Sequence, residues 1–232
     1  MRSTRLGSNS VIEAAGTTQQ IRRAYDLWSY VYARIAGPLE RGPRLRALEL
    51  VTIRPRERVL EVAVGTGAIL LEILKRSDNL RPVCGVDLSS RMLQRTKRLI
   101  EEAGYRNARL YQADTRWLPF QDEAFDLIYC SYLLDLLELK DLPKALSEFK
   151  RVLEPGGQIV LVNLSREDSE KLTWMEHFYS RLPSSWVPYL LGSCRPVFME
   201  PLVCDEGFVE IRREFIRELT RSEIVTARRP IG

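Results

Sequence analysis

Glu61, Gly65, Gly67 and Asp87 are the residues whose types and spacing could do chemistry. Residues 58–67 read Arg-Val-Leu-Glu-Val-Ala-Val-Gly-Thr-Gly, and Asp87 follows the last glycine by twenty residues. The apolar run Val59, Leu60, Val62, Val64 predicts a buried parallel strand, and the glycine turn opens into an apolar helix from Ala68 to Leu74. Such a turn presents backbone N–H groups at a helix N-terminus, and an acidic residue at this spacing suits a ribose hydroxyl. Together these residues imply a nucleoside-like cofactor; a tight turn with no ligand is the alternative.

Two departures from the dinucleotide pattern narrow the choice. That pattern wants a third glycine three residues after the second, where this chain has Leu70, and its first glycine is here Ala63. Glu61 stands just before the turn, where a carboxylate would repel a pyrophosphate but suits an ammonium and a sulfonium cation. S-adenosylmethionine carries both, so the expected site is a methyl-donor site.

The positioning elements follow from the alternation of strand and helix patterns between residues 58 and 164, which predicts an α/β fold: a parallel sheet with helices on both faces. Strands are expected over 58–64, 82–88, 108–113, 125–131 and 158–164. Ser89 and Ser90 cap a helix that Gly104 ends, and a helix from Leu142 stops at Pro155-Gly156-Gly157. Residues 166–200 are rich in aromatics, proline and glycine and read as a cap insertion (Trp174, Phe178, Tyr179, Trp186, Tyr189, Phe198). Val209–Phe215 and Glu223–Arg228 read as a closing hairpin. The division expected is a disordered tail over 1–18 and one domain over 19–232, with a helical lid over 19–50 and a core over 56–165.

The chain has 232 residues, 45% hydrophobic and 28% charged, which suits one domain with a full core. It contains no apolar run of eighteen residues, and its first residues lack the apolar centre of a secretory signal. Four cysteines without C-x-x-C spacing and a single histidine argue against a zinc site and for the cytoplasm; Cys84 and Cys130 are expected as small buried hydrophobes. Of 35 basic residues 29 are arginine, six of them between Arg41 and Arg58, which suits either an anionic partner or a solvated surface. The amphipathic helix over 19–36 (Ile21, Tyr25, Trp28, Tyr32, Ile35) has three open roles: packing on the body, a lid, or peripheral contact with a membrane.

With these motifs placed, the chain resembles the class I S-adenosylmethionine-dependent methyltransferases of the broad type 11 group. The resemblance runs over about residues 20–230 and rests on Val59–Gly67, Gly85-Val-Asp-Leu-Ser-Ser90, Ala113-Asp-Thr-Arg-Trp-Leu-Pro-Phe120 with Phe125-Asp126, and Arg151-Val-Leu-Glu-Pro-Gly-Gly157. Within the group it is similar to the ubiquinone/menaquinone C-methyltransferases and to the bacterial phosphatidylethanolamine N-methyltransferases. After the fourth strand it reads Ser131-Tyr132-Leu-Leu-Asp135, not the Phe-Gly-x-Arg-Asn of the quinone enzymes, a departure that bears on the acceptor and not on the cofactor. The resemblance implies a seven-stranded Rossmann-like sheet, mostly parallel with a C-terminal antiparallel hairpin.

It also implies roles. Backbone at Gly65, Thr66 and Gly67 approaches the methionine part, with Glu61 near its ammonium. Asp87 accepts the ribose hydroxyls, Asp114 the adenine amino group, and the Thr115 backbone reads the ring edge. Leu88 and Trp117 flank the adenine, Ser131 meets the cofactor at the end of the fourth strand, and Tyr25 is a lid residue. Asp126 is expected to serve structure at a strand start. Tyr132 and Asp135 past the fourth strand, and His177 in the cap, are the candidates for orienting the acceptor or removing its proton. The expected partner is a small-molecule or lipid acceptor. The competing reading is a nucleic-acid methyltransferase or binder; the chain lacks the Asn/Asp-Pro-Pro-aromatic motif of the amino-group base methyltransferases.

Overall fold

In the computed structural model, which describes residues 40–78, 80–165, 196–217 and 221–231, the apolar run after Arg58 is β1 (Val59–Val62), buried at all four positions. Its burial on both faces is what a central parallel strand requires. α2 (Ala68–Arg76), β2 (Val83–Asp87), α3 (Ser90–Glu102), β3 (Ala108–Gln112) and β4 (Phe125–Ser131) follow, after α1 (Arg41–Glu49) at the start of the described chain. Next come α4 (Leu142–Val152), β5 (Leu153–Leu164), α5 (Met199–Asp205), β6 (Val209–Arg217) and β7 (Arg221–Arg228). The expectations for Tyr25, for the tail and helix over 1–36, for His177 and for the cap over 166–195 lie outside the described residues.

The strands form one seven-stranded sheet in the order β3-β2-β1-β4-β5-β7-β6. β1 pairs in parallel with β2 and β4, β4 with β5, while β7 runs antiparallel between β5 and β6. This is the expected α/β sheet with its antiparallel C-terminal pair. The chain order reverses between β1 and β4, so the carboxyl ends of those strands form the crevice where open α/β sheets bind ligands. Helices cover both faces. α1, α2 and α3 pack on the side of Val59, Tyr129, Val160 and Ile224. α4 and α5 pack on the side of Leu60, Ile128, Leu161 and Val225.

Local chemistry sets most boundaries. The Ser89 side chain caps α3 by accepting from the Met92 N–H at 3.2 Å. Cys84 and Cys130 are buried free thiols, as expected. One boundary is corrected: α4 passes straight into β5 at Leu153, and Pro155-Gly156-Gly157 is not a break ahead of the strand but a bulge inside it. Phe125 pairs with Leu153 and Leu127 with Gln158, so the extra residues loop out. Gly156 takes φ +77°, and Arg229 clamps the bulge, accepting from the Gly156 N–H at 3.0 Å and donating its own to the Gly157 carbonyl at 2.9 Å. Within the expected lid, the stretch over 41–49 is α1, packed on β5 and β7. The expected cap ends in a helix: Met199–Asp205, of which the last five residues had no expectation, form α5.

Candidate cofactor and acceptor site

The turn between β1 and α2 needs three left-handed residues: Ala63 at φ +61°, Gly65 at +53° and Gly67 at +82°. At Gly65 a side chain would have room, so conformation alone selects glycine there. At Gly67 a Cβ would stand 2.7 Å from the Thr96 methyl and 3.0 Å from the Thr96 Cα. Thr96 also donates its hydroxyl to the Gly65 carbonyl at 3.0 Å, so α3 holds the loop from outside. Ala63, at the position of the dinucleotide pattern's first glycine, bears a conformation that costs an ordinary residue about 1–2 kcal/mol.

Asp87 ends β2 and joins two loops. Its carboxylate oxygens accept from the Gly65 N–H and the Ser89 N–H, each at 2.8 Å. A carboxylate oxygen accepts more than one hydrogen bond, so the same group suits a ligand hydroxyl. Behind the loop lies Glu61, 2% exposed, whose Oε2 has no hydrogen-bond partner among the described residues. Burial pushes its carboxyl well above the usual carboxylate range; Arg44 opposes the shift and Asp87 adds to it. A buried, unpaired acidic oxygen beside a glycine cradle fits the ammonium of S-adenosylmethionine, which carries the missing donors.

A shallow cleft of about 50 Å³ runs along the carboxyl ends of β1, β2 and β3, with Asp87, Leu88, Asp114, Thr115, Leu133 and Leu137 among its walls. The Thr115 hydroxyl is buried there and has no hydrogen-bond partner among the described residues. Asp114 is engaged: Arg116 forks onto it with contacts of 2.9 and 2.6 Å and also pairs with Asp141 at 2.6 Å. Partial burial raises the Asp114 pKa, but the Arg116 bonds outweigh it and hold the carboxyl below its usual value. Trp117 is 65% exposed, neither buried in the core nor part of the cleft wall, with the Lys144 ammonium over its ring. Asp126 receives the Arg58 N–H at 2.6 Å and the Arg58 guanidinium, the structural role expected of it.

At the end of β4, Ser131 is buried and pairs in register with Val162. Tyr132 takes φ +52°, and its hydroxyl lies 2.8 Å from the Ser222 hydroxyl with the Arg44 guanidinium 4.9 Å from its ring. The kink sends Tyr132 into the α1 face, while Leu133 faces the cleft on the opposite side. Asp135 is fully buried in the following turn and, after burial itself and Glu61, helps raise the Cys130 thiol pKa. The structure thus gathers Glu61, Gly65, Thr66, Gly67, Asp87, Leu88, Asp114 and Thr115 along three strand ends, with Ser131 and Asp135 beside them and Tyr132 turned to the other face.

Sequence reasoning missed Arg44, Thr96 and Asn163. Arg44 belonged to the arginine-rich stretch; there Arg44, Arg46 and Arg58 all hold ion pairs with acidic residues. Asn163 is the lone polar residue in the apolar run Ile159–Leu164, a signal visible in the sequence. Among the described residues no cluster of histidine, cysteine and acidic groups could hold a metal, and no helix is long and apolar enough to cross a membrane.

Comparison with known proteins falls on the same region. A family model described as a methyltransferase domain matches residues 59–157. The phosphatidylethanolamine N-methyltransferase of Cereibacter sphaeroides is 33% identical over 166 residues, covering 71% of this chain and 78% of that protein. The ubiquinone/menaquinone biosynthesis C-methyltransferase UbiE of Teredinibacter turnerae is 30% identical, covering 72% of this chain and 65% of its own. Among solved structures, the [4+2]-cyclase SpnF superposes with a TM-score of 0.76 at 19% identity, covering 97% of this chain and all of that one. The N-methyltransferase NodS of Bradyrhizobium japonicum, complexed with S-adenosyl-L-homocysteine, gives 0.69 at 13% identity, with 91% and 99% covered. At those identities the structures speak for the fold alone, and one of them carries the name of a cyclase.

Proposed function

The chain belongs to the S-adenosylmethionine-dependent methyltransferases, and on that premise we propose that it methylates a small hydrophobic or lipid-like acceptor by in-line transfer. The observation that carries this acceptor class is the relationship to a phospholipid-amine methyltransferase over 78% of that enzyme's length, joined by a quinone-biosynthesis relative. The apolar walls Leu88, Leu133 and Leu137 beside the candidate site support it.

When bound, the cofactor supplies a methyl group already activated on a sulfonium. The protein's share is alignment and exclusion of water. Glu61 gives up its proton to hold the ammonium, the backbone of Gly65, Thr66 and Gly67 seats the methionine part, and Asp87 orients the ribose. Leu88, Asp114 and Thr115 take the adenine, with Ser131 at the β4 end and Tyr25 over the site. A base is needed only for an acceptor whose proton is hard to lose; Asp135 and His177 are proposed for that task, and Tyr132, turned to the α1 face, is not. Peripheral membrane contact through the helix over 19–36 belongs to the same proposal.

The test is incubation with methyl-labelled S-adenosylmethionine and a whole-cell extract, followed by partition between organic solvent and water. Label in the organic phase, resolved by chromatography into headgroup and quinone products, supports the reading. Label confined to water refutes it and turns the search to polar metabolites and nucleic acid.

A further inference from the structure

Asn163 stands one residue before the carboxyl end of β5, with its side chain on the face of Ile159 and Leu161, the face of α4 and α5. That is also the face of Leu133 and Leu137, which wall the cofactor cleft. The residue is 0% exposed, yet among the described residues neither its Oδ1 nor its Nδ2 has a hydrogen-bond partner. Its register partner across the antiparallel pair is Glu223, a buried carboxylate that would be its natural mate. Glu223 is already satisfied: Oε1 accepts from Arg213 at 2.5 Å, and Oε2 from the Ser165 hydroxyl at 2.8 Å and the Met199 N–H at 3.5 Å. The amide is therefore left out of a network that closes without it.

Shutting a polar group away without a partner costs about 1–3 kcal/mol, and this amide carries both a carbonyl and an NH₂. An apolar β-branched residue would suit the strand and avoid that cost. The orphaned amide lies at the carboxyl edge of the sheet, where the fold binds its ligands. Its chemistry specifies the guest. One acceptor and two donors without charge match a neutral group that both donates and accepts; an ammonium would leave the NH₂ unpaired, and a phosphate would call for a cation.

Deepening the reading above and resting on it, we propose that Asn163 is an acceptor-binding residue whose buried amide hydrogen-bonds a neutral, hydroxyl-bearing acceptor. The discriminating pair is Asn163→Val and Asn163→Thr, side chains of one shape that differ by a methyl against a hydroxyl. In the acceptor-free protein Asn163→Val raises the melting temperature, because it removes an unsatisfied amide. Both variants bind S-adenosylhomocysteine within about twofold of the parent by calorimetry. With labelled S-adenosylmethionine and whole-cell extract, Asn163→Val loses transfer at least tenfold, and Asn163→Thr retains several times more than Asn163→Val.

A lower melting temperature for Asn163→Val, meaning that the amide has a permanent internal partner, overturns the inference. So does equal transfer by the two variants. Label found on the nitrogen of a lipid amine overturns the hydroxyl assignment. The phase that takes the label tests the acceptor class proposed above, whereas the Val-to-Thr ratio in that phase tests Asn163, so the two can fail separately. No label from the parent protein in either phase refutes both.

Discussion

Replacing Glu61 by glutamine separates what the carboxylate does for the fold from what it does for the cofactor. In the ligand-free protein the carboxyl is 2% exposed, one oxygen is unpartnered, and burial drives its pKa well above the usual range. The folded chain thus keeps a proton that the unfolded chain releases near pH 4.3. Stability must then fall as pH rises from about 4.3 toward the raised value, by up to about 1.4 kcal/mol per pH unit. Glutamine has the shape of the protonated acid and no proton to lose. Glu61→Gln should match the parent near pH 4 and exceed it at neutral pH. Arg44, whose attraction opposes the shift, keeps its 2.5 Å contact with Glu40 and is not stranded.

Cofactor binding should move the other way. An ammonium at Oε2 makes a charge-assisted bond worth about 1.5–3 kcal/mol, so Glu61→Gln weakens binding roughly 10- to 150-fold. Because the parent must first release the Glu61 proton, its affinity should climb as pH rises above the ordinary carboxylate range, while that of the variant stays flat. Melting curves from pH 4 to 8, with calorimetric titration of S-adenosylhomocysteine, read both effects. The same pH slope of stability in parent and variant, or an unchanged dissociation constant, would refute the placement of a raised carboxyl at the ammonium.

Asp87→Ala removes acceptors from the Gly65 and Ser89 N–H groups as well as from the ribose; calorimetry should show about 2–3 kcal/mol of lost affinity, and unchanged binding would take Asp87 out of the site. Gly67→Ala combines a left-handed φ with a 2.7 Å approach to Thr96, so urea melts should show about 2–4 kcal/mol of destabilisation that Thr96→Ser does not restore. Ala63→Gly relieves the φ of +61° at the expense of chain entropy, and should stabilise by roughly 0.5 kcal/mol; a loss above about 1 kcal/mol would contradict the strain. Burial lifts the Asp126 pKa, but the Arg58 bonds outweigh it, so its share of stability is present above about pH 3.9 and disappears as pH falls through the depressed value. Discounted for solvent screening, Asp126→Asn should cost about 1 kcal/mol at pH 7 and nothing at the acid end, by melts across pH.

The parts legible in the sequence are those that local backbone geometry dictates. The glycine turn could be read because Gly65 and Gly67 answer φ values that other residues resist, and the α3 start because Ser89 carries its own cap. β4 was readable to the residue, since a strand buried on both faces is a continuous apolar run. What failed depended on partners far along the chain. Pro155-Gly156-Gly157 has every local mark of a break, and only β4 on one side and Arg229 on the other turn it into a bulge. Tyr132 was expected to face the crevice because it follows a strand, but its φ of +52°, rare for a bulky residue, sends the ring to Arg44 and Ser222. Asn163 was visible as a polar residue in an apolar run; that it is orphaned follows from Glu223, sixty residues on, being filled by Ser165 and Arg213. The cofactor half of the site can be read from one contiguous motif because a single turn builds most of it. The acceptor half proposed above draws on the ends of β4, β5 and β7, and on that proposal its specificity is a property of the assembled sheet and not of any one segment.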